Sequence, residues 1–179
     1  DTDSESITYL VKETIKKQTP EIPFAVSFSG GIDSTLILDE VHSNKFFTAT
    51  YCVDVKHSEM SERKWQNYVI DKLNLSKKTK WIDLRDTDFS IKNLKRLSKL
   101  CDYPMFHPNY VGSLHLTEKV KSDGIKVLLS GEGADEIFLG YRWFEDFSNY
   151  SEFLEYIPFD AAKDVFKTEN IKNPNFEQL

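Results

Sequence analysis

The feature that most constrains this chain is its alternation of short apolar segments with longer stretches of helical periodicity. The short segments are rich in β-branched and aromatic side chains, which predicts four strands: residues 24–28, 46–53, 81–84 and 125–130. Apolar residues recur at the helical period in the segments before and between them: residues 5–18, 61–74, 88–101 and 108–122, with a further helix after residue 34. The helix over residues 61–74 is expected to bury Trp65, Tyr68, Val69 and Leu73. Strands that alternate with helices form a parallel sheet with right-handed crossovers, so the predicted fold class is α/β.

The lengths of the crossovers predict the order of the strands. The connection before the fourth predicted strand spans roughly forty residues, enough for the chain to cross back over the sheet. We therefore expect the order 3-2-1-4 in a three-layer, doubly wound parallel sheet. In this order the first and fourth strands are neighbours, and loops 29–34 and 130–136 meet at the switch point where such sheets bind ligands.

Composition excludes several classes of function. The net charge of −6 argues against a broad nucleic-acid surface, because duplex binding depends on neutralising phosphates. No apolar run approaches the length of a membrane span, and the first residues are acidic and polar. Cys52 and Cys101 are too few for a disulfide framework, and we expect both in the core. These features predict a cytoplasmic protein without nucleic-acid or membrane partners.

The first glycine-containing loop has the composition of an anion site. It reads Ser29-Gly30-Gly31-Ile32-Asp33-Ser34-Thr35 and lies between a predicted strand and a predicted helix. Its glycines permit a tight turn, and the helix that follows directs free N–H groups and a positive dipole end toward the crevice. Asp33 beside a phosphate requires a bridging cation, for which Mg²⁺ is suited. A glycine-rich turn with a simple helix cap is the alternative.

The second loop is acidic and follows the fourth predicted strand. It reads Ser130-Gly131-Glu132-Gly133-Ala134-Asp135-Glu136, and its carboxylates would repel one another without a cation. Asp33 and Asp135 are therefore the predicted Mg²⁺ ligands, brought together by the strand order. The alternative is an acidic, solvated helix start, where carboxylates interact favourably with the helix dipole.

Both loops carry a resemblance to a known family. Ser29-Gly30-Gly31-x-Asp33-Ser34 resembles the pyrophosphate-binding loop of the N-type ATP pyrophosphatases, whose fold is of the adenine nucleotide α-hydrolase type. The string 130–136, followed by Gly140-Tyr141, resembles the SGEGADE…GY signature of the asparagine synthetase C-terminal domain. The similarity covers roughly residues 5 to 147, which is most of the chain.

The resemblance implies an AMP-forming ligase that uses ATP and Mg²⁺. Such an enzyme activates a carboxylate as an acyl-adenylate, releases pyrophosphate and forms an amide with ammonia or another amine. By position, the backbone at Phe28 and Val53 would hold adenine, and Ser130 and Gly131 would contact adenine and ribose. The pyrophosphate group would lie on Ser29, Gly30, Gly31, Asp33, Ser34 and Thr35, and Mg²⁺ on Asp33 and Asp135. Glu132 would deprotonate the amine or position the acyl-adenylate.

Two departures from the family leave alternatives open. We expect residues 1–157 to form the ATP-pyrophosphatase domain and residues 158–179 a tail, with no glutaminase before residue 5. The amine would then be free ammonia, part of the substrate, or the product of a separate glutaminase or other partner chain. A cyclising amide synthetase of the β-lactam synthetase or lasso cyclase type is thus an alternative. The second departure is that the family continues past the GY motif into a helical region. A nucleotide-binding subunit that is non-catalytic or depends on a partner is therefore also an alternative.

Overall fold

A four-stranded, all-parallel sheet in the order β3-β2-β1-β4 organises the fold. The computed structural model describes residues 2–55, 61–101, 109–138 and 140–141. The strands are β1 (Phe24–Ser27), β2 (Phe47–Val55), β3 (Thr79–Leu84) and β4 (Val127–Leu129). The helices are α1 (Thr2–Gln18), α2 (Ile32–Val41), α3 (Arg63–Lys72), α4 (Ile91–Cys101), α5 (Asn109–Ser122) and α6 (Ala134–Phe138). The predicted fold class and strand order are confirmed.

Helices cover both faces of the sheet. On one face Phe24, Val26 and Phe28 pack with Leu38 of α2 and Ile70 of α3. On the other face a second apolar cluster combines strand residues with α5: Ala25, Ala49, Tyr51, Leu116, Val120 and Ile125. Burial on both faces is the reason that these strands read as nearly continuous apolar runs.

A register shift in β2 determines which of its side chains reach each face. The partners pass from Phe24↔Phe47 to Ala25↔Ala49, so that Thr48 is skipped. Such a bulge exchanges the faces of the residues on its two sides. Phe47 and Cys52 therefore share one core although their numbers differ in parity.

A buried tyrosine of the sheet is hydrogen-bonded to the residue that directly follows α5. The Tyr51 hydroxyl donates to the Asp123 carboxylate over 2.7 Å. Lys119 donates to the same carboxylate over 2.5 Å. Burial and the neighbouring carboxylate raise the pKa of Tyr51, so its hydroxyl stays a donor. Helix α5 is thereby held against β2.

The ends of several elements differ from the predicted ones. β4 is shorter than residues 125–130, because it pairs only with Phe24–Val26 of the short strand β1. Strand β3 begins at Thr79 instead of Trp81, extended by its pairing with β2. Helix α4 begins at Ile91, since a 3₁₀ turn over Asp86–Phe89 precedes it.

The prediction that helix 61–74 buries Trp65 and Tyr68 is wrong. These rings are 60% and 62% exposed, whereas Gln66 is fully buried and Ile70 is 2% exposed. Gln66 and Ile70 are four residues apart, so they share the face that meets the sheet. The aromatic rings lie instead beside lysines of the same helix, with Lys64 Nζ 5.3 Å from the Trp65 ring centre. The predicted Val69 and Leu73 are half-buried.

The chain divides into two units, residues 1–131 and residues 132–179. The sheet and helices α1–α5 belong to the first unit, and α6 belongs to the second. The predicted boundary at residue 157 lies outside the described residues. Across the described part of the chain, no helix is both long and apolar enough to cross a membrane.

The two cysteines should react very differently in the folded protein. Cys52 is fully buried, and burial raises the pKa of its thiol to about 12. Cys101 is half-buried at the end of α4. Because the thiolate is the reactive form, we expect a thiol reagent at about pH 8 to label Cys101 and to spare Cys52 until the chain unfolds. Mass spectrometry locates the label, and Cys101→Ser is the control. Rapid native labelling of Cys52 would contradict this expectation.

Candidate functional site

The loop between β1 and α2 is shaped by its own glycines and hydroxyls. Gly30 has a φ of +92°, in the region that favours glycine. The Ser34 hydroxyl lies 3.1 Å from the Ser29 hydroxyl, and it donates to the Gly31 carbonyl over 3.2 Å. The Thr35 hydroxyl also donates to the Gly31 carbonyl, over 2.7 Å. These side chains brace the loop from within.

The start of α2 has no side-chain cap, and Gly31 is its N-cap residue. The first turn of a helix has N–H groups without intrahelical partners, and these carry the positive end of the dipole. Asp33 lies half-buried in that turn. The loop thus combines backbone donors for an anion with a carboxylate suited to a bridging cation.

Gly131, which follows β4, lies directly against the first turn of α2. A Cβ added to Gly131 would lie 2.9 Å from the Asp33 Cβ and 3.2 Å from the Ser34 nitrogen. The first separation is shorter than the contacts of real Cβ atoms and the second is tight, so a side chain at this position would force Asp33 to shift. The strand order therefore brings the exit of β4 onto the anion loop, as predicted for the switch point.

A cleft of about 540 Å³ opens beside this loop, at the carboxyl ends of β1, β2 and β3. Its lining residues are Ser27, Phe28, Ser29, Val53, Asp54, Val55, Glu62, Leu84, Phe89, Asn109, Gly112, Ser113 and Leu116. The predicted adenine contacts Phe28 and Val53 both line it. Most of the wall's surface is apolar, and six of the thirteen lining residues are polar or charged, a composition that suits a small-molecule site.

The backbone groups of Phe28 and Val53 are engaged beneath the cleft. The Phe28 N–H donates to the Tyr51 carbonyl over 2.8 Å. The side-chain amide of Gln66 donates to the Phe28 carbonyl over 3.3 Å and to the Val53 carbonyl over 3.2 Å. Each carbonyl oxygen has a second lone pair, so it retains the capacity to accept from a ligand.

A network of charged side chains surrounds Asp54 at the β2 side of the cleft. Asp54 accepts from the Ser61 hydroxyl over 2.8 Å and from Arg63 Nε over 3.2 Å. Arg63 also binds Asp83, and its guanidinium lies 3.8 Å from the centre of the Trp81 ring. Burial, with Asp54 nearby, raises the pKa of Glu62. Arg63 thus compensates the buried charge of Asp54 and fixes the start of α3.

Contacts within the second unit explain why Gly140 and Tyr141 follow the acidic residues of this motif. A Cβ on Gly140 would collide with a carboxylate oxygen of Asp135, and the Gly140 N–H donates to the Asp135 carbonyl over 3.1 Å. Tyr141 donates to the carboxylate of Glu136. This bond lowers the pKa of Glu136 and raises that of Tyr141 to about 12. Gly140 and Tyr141 therefore fold back onto the short helix α6.

The predicted site residues fall into two groups. The loop residues 29–35, together with Phe28, Val53, Ser130 and Gly131, belong to the first unit, and the loop and Gly131 are in direct proximity. Glu132 and Asp135 belong to the second unit. The Mg²⁺ pair Asp33 and Asp135 stays a prediction, as does the role of each residue toward a nucleotide. Within the described ranges, no cluster of three or more His, Cys, Asp or Glu side chains is arranged to hold a metal.

Comparison with known proteins decides the family. Residues 6–178 match the family model described as asparagine synthase. The chain belongs to the asparagine synthase family. Its similar proteins include "Asparagine synthetase [glutamine-hydrolyzing]" of Zea mays, 30% identical over 161 residues. Another is "Asparagine synthetase [glutamine-hydrolyzing] 3" of Arabidopsis thaliana, 31% identical over 154 residues. Both matches cover 80% of this chain and 26% of the relative, so the chain spans about a quarter of their length.

Sequence reasoning missed three residues of the site: Asp54, Glu62 and Gln66. Asp54 and Glu62 line the cleft of this asparagine synthase family member, and Gln66 supports it from below. The sequence carries one signal that Gln66 is buried: it lies four residues before Ile70 on α3, and so on the same helix face. A glutamine in register with a buried isoleucine is unusual on an apolar helix face.

Substitution of Gly131 should damage both stability and the anion site. In Gly131→Ala the added Cβ would press on Asp33 and the backbone of Ser34, and such overpacking costs roughly 1–3 kcal/mol. We expect a lower melting temperature and weaker pyrophosphate binding by calorimetry.

Gly124→Ala provides a matched control. Gly124 has a φ of +77° and open space around its Cα, and it precedes β4 at the opposite edge of the sheet. Its substitution costs roughly 1–2 kcal/mol through backbone strain and should leave pyrophosphate affinity unchanged. Equal loss of affinity in both variants would contradict a specific role for Gly131.

Proposed function

We propose that this chain binds Mg-ATP and activates a small-molecule carboxylate as an acyl-adenylate, releasing pyrophosphate, before an amide is formed. The amine is ammonia or another amine. The proposed enzyme is an AMP-forming ligase of the asparagine synthetase type in the cytoplasm. The family membership supports this class of reaction, and the names of the relatives specify asparagine synthetases.

The contact between Gly131 and the first turn of α2 is the observation that carries the proposal. It puts Gly131, at the exit of β4, against the anion loop, which borders a cleft of about 540 Å³. A nucleobase fits an aliphatic and aromatic cleft, whereas phosphates fit the backbone donors of a helix start. The two features are adjacent because Ser29 belongs both to the cleft wall and to the anion loop.

The chemistry follows from where charge develops. A carboxylate oxygen attacks the α-phosphorus of ATP, the bond from the α-phosphorus to the bridging oxygen breaks, and pyrophosphate leaves with that electron pair. The N–H groups of Ile32, Asp33 and Ser34 and a cation held by Asp33 would stabilise the leaving charge. The amine nitrogen then attacks the acyl carbon and AMP departs. Glu132 is the proposed acceptor of the amine proton.

The source of the amine belongs to the proposal as well. The relatives are named as glutamine-hydrolyzing, and this chain spans 26% of their length. We therefore propose that ammonia is free in solution or is supplied by a glutaminase on another chain or segment. A cyclising reaction, in which the substrate carries its own amine, would use the same nucleotide site.

Pyrophosphate release is the direct test of the proposed reaction. The purified chain is incubated with Mg-ATP, ammonium and single carboxylic acids, beginning with aspartate. We expect release that depends on one acid and AMP formation in equal amount. Binding of ATP without release would favour the nucleotide-binding subunit that depends on a partner. Absence of ATP binding would refute the proposal.

The metal role of Asp33 can be tested with a substitution that leaves the fold intact. Asp33→Asn removes the charge proposed to hold Mg²⁺ while keeping the shape of the side chain. Loss of a charge-assisted interaction is worth about 1.5–3 kcal/mol, so we expect roughly a 10–100-fold loss of affinity for Mg-ATP. Asp39→Asn, an exposed position near the other end of α2, is the control and should bind as the unaltered chain does. Equal affinity in both variants would exclude the metal role of Asp33.

A further inference from the structure

Gln66 is a fully buried polar side chain with an incomplete set of partners. It is 0% exposed, in the first half of α3. Its Nε2 group donates two hydrogen bonds, whereas its Oε1 atom is buried and has no partner among the described residues. Burying an unpaired carbonyl oxygen is costly, and an apolar side chain would fill a core position without that cost. The two donated bonds therefore have to offset that cost.

Those two bonds join the ends of neighbouring strands. The backbone pairing of β1 with β2 ends with the bond from the Phe28 N–H to the Tyr51 carbonyl. Beyond it, Gln66 Nε2 bridges the Phe28 and Val53 carbonyls at 3.3 Å and 3.2 Å. One side chain thus continues the connection between the strands where backbone pairing has stopped.

The orientation of the amide follows from its partners. Both are carbonyl oxygens, which only accept, so the NH₂ group must face them. A carboxylate or an apolar group at this position would supply no donor to either carbonyl. Gln66 is the described side chain that supplies donors to both.

Gln66 also contacts the anion loop. A Cβ on Gly30 would lie 3.1 Å from Gln66 Cγ and 3.3 Å from the Gln66 backbone nitrogen. The same residue therefore supports the cleft, through Phe28 and Val53, and the loop, through Gly30.

We propose that Gln66 is a positioning residue of the nucleotide site, fixing the ends of β1 and β2 so that cleft and anion loop hold one nucleotide together. This inference rests on the proposed function, because it takes the ligand to be ATP. Gln66 does not touch the reacting atoms. Its loss should raise the KM and the Kd for Mg-ATP more than it lowers kcat.

Three variants separate positioning from general stability. Gln66→Met keeps length and flexibility without donors, and we expect about a tenfold higher Kd for Mg-ATP by calorimetry. Ile70→Val is the matched control, because Ile70 is buried on the same face of α3 and bonds to neither strand end. We expect it to lower the melting temperature while keeping the Kd of the unaltered chain.

Gln66→Glu provides a signature that a purely structural role would not produce. Its carboxylate repels both carbonyls, whereas the protonated acid donates one hydrogen bond and restores part of the bridge. Burial favours the protonated form. We therefore expect the ratio of its Kd to that of the unaltered chain to fall as the pH is lowered from about 8.5 to about 5.5. Taking the ratio cancels the effect that the titration of ATP itself has on both Kd values.

Each outcome decides between the two proposals. If the unaltered chain binds no ATP, the proposed function fails and this inference fails with it. If the unaltered chain binds ATP and folded Gln66→Met binds equally well, only the inference about Gln66 is overturned. The same holds if Ile70→Val weakens binding as much as Gln66→Met, or if the Kd ratio of Gln66→Glu is independent of pH. Failure of both Gln66 variants to fold, where Ile70→Val folds, would also overturn it.

Discussion

The parallel pairing of β1 between β2 and β4 is the interaction on which the rest of the structure depends. Phe24, Ala25 and Val26 are fully buried, because helices cover both faces of this central strand. Parallel pairing puts the carboxyl ends of three strands at one edge. The chain leaves β1 and β4 there through loops that contain glycine, so the position of the anion loop and its contact with Gly131 follow from the pairing.

Polar groups at that edge are arranged so that some of them brace the site and others remain available. The hydroxyls of Ser34 and Thr35 donate to the Gly31 carbonyl within the loop, and no side chain caps the N–H groups of the first α2 turn. Asp54 is a buried charge held by Arg63, and its cost of burial is offset by that pairing. Rigid polar networks of this kind fix a site before a ligand arrives, which reduces the entropy that binding must overcome.

The acidic string and the Gly-Tyr pair of the second unit have a local explanation. Gly140 leaves room for the carboxylate of Asp135, and Tyr141 binds Glu136. The spacing of this signature thus reflects a short chain reversal around α6. These contacts explain the motif from its own residues, independently of the metal role proposed for Asp135.

The sequence by itself determined the parallel α/β sheet, its strand order and the loop 29–35, because periodicity and glycine-rich strand ends depend on residues close together in the chain. Helical periodicity also placed α3, but it assigned burial to Trp65 and Tyr68, the larger apolar side chains. Only the tertiary structure decided that Gln66 faces the sheet, because the two carbonyls that need its donors lie 38 and 13 residues away along the chain. The spacing of Gln66 from Ile70 puts both on one face of α3, but the hydrogen-bond demand of two strand ends, which outweighed hydrophobicity at this position, cannot be read from periodicity.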